Sequence, residues 1–199
     1  MNRDTILTKA KPILFNTDMV RAILDRRKTA TRRVVKNADS EWSFCSLDND
    51  PWEIKVKSDG EEYPSKLEGL YATFSDVDFY PMIKAPYQPG DILYVRETFA
   101  KIIGTKYIYK ANTSSGTELL AKRHGGWRPS IHMPKEAARI FLRVKDVRVE
   151  RLRDMTEESA MADGFPSRAA AIEAILTMYP NCTEDSWFWV ISFERIIPG

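Results

Sequence analysis

The sequence predicts an α+β chain of 199 residues, a single domain (1–199) built on a small mixed β-barrel with peripheral helices and two insertions, at about 37–86 and 101–130. Three observations predict it. Short apolar runs bounded by turn residues recur along the chain, and helical patterns between them are few and brief. Strands and helices do not alternate as βαβ units, and neither GxGxxG nor a Walker loop is present, which argues against a doubly wound nucleotide-binding sheet. The composition, 43% hydrophobic and 29% charged, supplies material for a core and speaks against global disorder.

The elements follow in order. Lys11-Pro12-Ile13-Leu14-Phe15 reads as a strand, and Asn16-Thr17-Asp18 as a helix start with Met19, Val20, Ile23 and Leu24 on one face. Arg26 and Arg27 suit that helix's C-terminal end, where cations meet the negative end of the dipole. Thr31 to Val35 is a second strand. Residues 37–86 are acidic, rich in turn formers and scattered with aromatics, among them Trp42, Phe44, Trp52, Tyr63, Phe74 and Phe79, and read as an insertion with a few short strands. A turn at 87–91 leads into a strand over Ile92–Arg96. The second insertion holds a strand near 107–109, and one helical turn is expected at Met133–Ala138. Arg139–Val144 and Val147–Leu152 read as two strands around a turn at Lys145-Asp146. Thr156 caps a short helix ended by Gly164, Ser167 caps another through Leu176, and Phe188–Ile196 closes the chain as a strand.

Charge is unevenly distributed. The net charge is +2, yet residues 1–36 carry +7, 37–86 carry −7, 87–153 carry +8 and 154–199 carry −6. Basic blocks on one face would attract phosphate; blocks of opposite sign that meet in the fold would cancel. No run approaches the ~18 apolar residues of a membrane helix, and the first fifteen residues contain no signal-peptide core. Cys45 and Cys182 are far apart and match no metal-ligand spacing, so neither a metal site nor a cofactor is expected. A cytoplasmic setting with reduced thiols is expected, with no membrane partner.

Chemistry concentrates in Arg26-Arg27-Lys28-Thr29-Ala30-Thr31-Arg32-Arg33. Neighbouring cations and burial both lower a lysine pKa, which a lysine base requires, and the Thr31 hydroxyl three residues on is a candidate nucleophile. The same strip also fits a basic helix end that binds phosphate. Asp163 would complete an acid–base set if it reached the pair, and is otherwise a solvated residue before a cap. His132 suits a hydrogen-bonded structural residue as well as a ligand contact, and Trp127 and Arg128 suit base stacking or insertion core.

VRAILDRRKTATRRVV, YQPGDILYVRE and FWVISFERI together resemble the ASCH-domain family, in three blocks that cover about half the chain. The resemblance implies a PUA-like β-barrel fold. The family hallmark Gly-x-Lys-Thr-x-x-x-Arg is matched at Lys28, Thr29, Thr31 and Arg33, with Arg26 where the family has glycine, and Gly90-Asp91 also matches. Within the superfamily the chain is similar to the small bacterial N4-acetylcytidine amidohydrolases, which implies Lys28 as base, Thr31 as nucleophile and Asp163 as acid in place of a family glutamate. The two insertions, and WRPSIHMP, make it look like the longer ASCH-type proteins of phages and prophages. The implied activity is hydrolysis of the amide of a modified pyrimidine nucleoside, with Arg33 or Arg96 at the oxyanion or a phosphate. The alternative is an RNA- or nucleotide-binding module without catalysis, using Arg27, Thr29, Arg32, Arg33, Arg96, Trp127, Arg128 and His132. A third is an accessory protein that contacts a protein partner through the acidic insertion.

Overall fold

The structure is a computed structural model that describes residues 2–56, 62–76, 80–104 and 106–199, with the backbone alone at 52–56 and 62–64. In chain order its elements are α1 (Arg3–Lys9), β1 (Lys11–Leu14), α2 (Thr17–Leu24), β2 (Ala30–Val34), β3 (Ser43–Asn49), β4 (Trp52–Val56), β5 (Glu62–Lys66), β6 (Leu70–Ser75) and β7 (Met82–Lys84). They continue as β8 (Ile92–Arg96), β9 (Phe99–Lys101), β10 (Tyr107–Tyr109), α3 (Ser115–Arg123), β11 (Phe141–Arg151), α4 (Glu157–Ala162), α5 (Arg168–Met178) and β12 (Trp187–Ile196). The fold is α+β, mostly sheet with a few short helices.

The central sheet has the order β1-β8-β11-β12-β2, with β1 parallel to β8 and the other neighbours antiparallel. β12 shows why its run is apolar throughout. Trp187, Trp189 and Ile191 enter the main core with Ile13, Val20, Val95 and Leu142, while Phe188 points to the other face, against Leu152, Ala160 and Ile175 of α4, α5 and their approach. Both faces are covered, so alternation of polar and apolar residues is lost. A third cluster, Ile6, Tyr94, Phe99, Met133 and Phe141, seats α1.

The expected barrel is not closed among the described residues: β1 and β2 are the two edges of an open order. The edges nevertheless face each other. Arg33 of β2 donates from Nη2 to the Leu14 carbonyl of β1 at 2.9 Å, and its guanidinium lies 5.3 Å from the ring centre of Phe15. Side chains fill the gap where ladder hydrogen bonds would close the sheet, and that gap opens into a cavity.

Two further expectations change with tertiary context. Lys145-Asp146 is not a turn between two strands; β11 runs straight through, and the register against β12 shifts between Val144 and Asp146. One extra residue is taken up as a bulge because β12 offers an unbroken partner. The second insertion contains α3, opened by a Ser114/Thr117 capping box. The first insertion builds its own sheet, β3-β6-β7, and the hairpin β4-β5. Its Phe74 is fully buried and meets the Trp187 ring edge-on at 5.6 Å. Trp42 and Phe44 pack beside it, so these aromatics are core. Phe79 lies outside the described residues, as do the side chains of Trp52 and Tyr63. Among the described residues, no helix is long and apolar enough to cross a membrane.

Candidate functional site

α2 ends in a way that aims the basic strip. Asp25 caps it, Arg26 takes a left-handed φ of 61°, and the amides of Arg27 and Lys28 both return to the Ala22 carbonyl at 2.8 and 3.0 Å. This left-handed reversal is what glycine makes at lowest cost, and here an arginine makes it. The chain then turns inward, and Lys28, Thr31 and Arg32 are all buried.

α4 brings the acid. Its cap Thr156 accepts from the Ser159 amide, and its last residue Ala162 accepts from the Thr29 amide at 2.7 Å. Asp163 follows, and Gly164 leaves the helix at φ +87°. A Cβ at Gly164 would lie 3.1 Å from the Ala22 Cβ and 3.2 Å from the Lys28 Cβ, so this close docking of α4 on the α2–β2 connection requires a residue without a side chain. The +7 block thereby meets the −6 block in the interior.

The result is a buried ionic cluster. Lys28 Nζ donates to the Asp163 carbonyl at 2.7 Å and to its carboxylate at 3.5 Å, both side chains almost wholly enclosed at 1% and 2% exposure. Arg32 donates to the Asp163 carboxylate through Nη1, and through Nη2 to Glu150 and, at 2.6 Å, to the Ser159 hydroxyl. The buried Arg32 Nε has no partner. Burial pulls the Lys28 pKa down from 10.5 to about 8; Asp163 opposes the fall, and Arg33 and Arg32 assist it. Arg33 Nη1 donates to the Thr31 hydroxyl oxygen at 2.8 Å.

These groups open on a cavity of about 470 Å³ in the seam between β1 and β2. Lys28, Thr31, Arg32, Arg33 and Asp163 line it together with Phe15, Tyr87, Phe165 and Tyr179. The volume suits a small molecule. Tyr87 donates to the Pro12 carbonyl at 2.6 Å, and burial raises its pKa.

The remaining candidates lie elsewhere. Arg27 is exposed and pairs with Asp25 at 3.0 Å, and Thr29 faces a second cavity. Arg96 donates to the Ile131 carbonyl and so holds the short turn Ser130–His132. Trp127 donates to Glu118 of α3 at 2.9 Å, and Arg128 bridges Phe99 through its backbone with its side chain exposed. His132 is exposed; from its segment Pro129 and Ser130 line the cavity instead. Glu150, Ser159, Phe15 and Tyr87 escaped the sequence reading, since each reaches the site from a separate element without a local motif. Among the described residues no group of three or more His, Cys, Asp and Glu is placed to hold a metal ion. Comparisons with protein-family models, curated proteins and solved structures find no match to this chain.

Proposed function

We propose that the seam cavity hydrolyses the amide of a modified pyrimidine nucleoside, with Thr31 as nucleophile and Lys28 as its base, on an ASCH-type chain of PUA-like ancestry. The observation that carries this reading is a buried lysine of lowered pKa and a buried threonine on the wall of one nucleoside-sized cavity. At pH 7 roughly a tenth of Lys28 is neutral, and near pH 8 half is. A neutral amine has two N–H bonds, which the carbonyl and carboxylate of Asp163 can accept, leaving its lone pair for a proton. The Arg33 guanidinium on the Thr31 oxygen favours an alkoxide and leaves the hydroxyl proton free to depart.

Thr31 Oγ1 bonds to the acyl carbon as its proton passes to Lys28. Negative charge develops on the acyl oxygen, beside the fixed Arg33 guanidinium. Collapse breaks the C–N bond, and Lys28 returns the proton to the exocyclic amine. Water then adds to the acyl-threonine as Lys28 takes one of its protons; the acyl C–Oγ1 bond breaks, Lys28 returns that proton to Thr31 Oγ1, and a carboxylic acid is released. In this scheme Asp163 is a positioning residue rather than the proton donor, because its carboxylate accepts from Arg32 and Lys28. The aromatic walls Phe15 and Tyr179 supply surfaces for a planar base.

The test is incubation with N4-acetylcytidine, read by chromatography for cytidine. Wild type is expected to release cytidine, and Lys28→Ala to lose at least a thousandfold in rate while keeping its circular dichroism spectrum. Release by neither protein removes this substrate class; equal release by both removes Lys28 as the base.

A further inference from the structure

A second cavity, of about 820 Å³, lies on the other side of the α2–β2 connection, with Lys28 contributing to the walls of both. Its floor includes Ile23 and Phe193, its rim carries Arg26, Lys145 and Arg195, and Ile197 stands exposed at its edge. We propose that this second cavity binds the phosphate of a nucleotide, free or within a single strand, through Arg26, Lys145 and Arg195.

Three observations lead there. The three cations are exposed, and none has a carboxylate or hydrogen-bond partner for its side chain among the described residues. Of the two acids at the same cavity, Glu194 pairs with Arg143 at 3.3 Å, and Asp146 is exposed, 4.0 Å from Arg148; four cations, Arg26, Lys28, Lys145 and Arg195, stand against these two acids. The cavity therefore keeps an excess of positive charge that the fold does not neutralise. Two of the cations are also placed by backbone irregularities. Arg26 occupies a left-handed conformation that costs an arginine more than a glycine, and Lys145 occupies the bulge of β11. A phosphate ester accepts hydrogen bonds from several cations at once, and the apolar floor suits the uncharged part of a nucleotide. This site stands independently of catalysis at Thr31.

The test is fluorescence anisotropy of the full chain with a labelled short oligouridine at two salt concentrations, with uridine monophosphate and polyglutamate as competitors. Wild type is expected to bind with a log–log salt slope of about −2, from roughly 0.7 per phosphate contact. Arg26→Gly, Lys145→Glu and Arg195→Glu are each expected to weaken binding about three- to tenfold and to flatten the slope, while Lys122→Glu on α3 leaves it unchanged. Arg26→Gly also separates binding from folding, since its Tm is expected to stay the same or rise while affinity falls. Competition by the mononucleotide identifies a free nucleotide as the ligand; its failure identifies a polynucleotide strand. No binding of either probe, equal binding by all three variants, or displacement by polyglutamate as effective as by oligouridine overturns the proposal.

Discussion

Among the described residues, two carboxylates are buried beside arginines, and they are used differently. Glu97 is held by Arg139 through two parallel bonds, 2.8 Å from Nε and 2.9 Å from Nη2. Arg139 also donates to Asn112 at 2.9 Å and stacks 4.0 Å from the Tyr109 ring centre. One acid meets one base in bidentate geometry, and neither residue lines the seam cavity. Asp163 meets two cations, Arg32 and Lys28, and Arg32 draws a second acid, Glu150. One Arg32 nitrogen stays unpaired, the lysine pKa falls, and a cavity opens on the cluster. A matched buried pair is a structural joint; a mismatched cluster beside space keeps a proton that can move.

Removal of either acid has the largest expected effect. Asp163→Ala and Glu97→Ala each strand a largely buried arginine, and each is expected to cost about 3–5 kcal/mol in denaturant unfolding. The milder variants separate the two sites. Asp163 raises the Lys28 pKa, so Asp163→Asn lowers it further and moves the acid limb of the kcat/KM profile to lower pH. Glu97→Gln is expected to leave that limb near pH 8. An unmoved limb in Asp163→Asn would remove Asp163 as the group that positions and tunes the lysine.

Stability against pH provides the next effect. Lys28 has a folded pKa of about 8 and an ordinary value of 10.5. Between these values the unfolded chain binds more protons, so stability rises with pH across that window and the gain is lost as pH falls through about 8. At about 1.4 kcal/mol per unit the full gain is on the order of 3 kcal/mol. Lys28→Met is expected to abolish this slope in urea melts at pH 7.5 and 10.5, whereas Glu97→Gln keeps it.

The smallest effect tests how the cluster is held together. Gly164→Ala places a Cβ against Ala22 and Lys28 at a positive φ, with an expected cost of about 1–3 kcal/mol. Because it displaces the turn that carries Asp163, it is also expected to lower turnover, read beside the melt. Unchanged stability would mean that α4 can withdraw from the connection freely.

Much of the framework was legible in the sequence. α2 with its Asn16 cap, β8 behind the Gly90 turn, and the caps Thr156 and Ser167 lie where local signals put them, because each depends on neighbours in the chain. α3 was hidden by its polar composition, and the bulge in β11 by the turn-forming look of Lys145-Asp146. At the site, Lys28 and Thr31 announced themselves in one dense segment. Glu150 and Ser159 had no such signal, being ordinary polar residues on a strand and a short helix.

The sequence by itself determined the α+β class, the strand and helix order around the basic strip, and the placing of a lysine and a threonine where α2 gives way to β2. Tertiary structure alone decided that the central sheet stays open with Arg33 spanning its seam, and that a distant helix end delivers Asp163 to Lys28. It also decided that Arg27, Arg96, Trp127, Arg128 and His132 lie away from the cavity. Caps and periodicity act over one or two turns, so they can be read along the chain. Burial, desolvation and the meeting of opposite charges more than a hundred residues apart exist only once the elements pack.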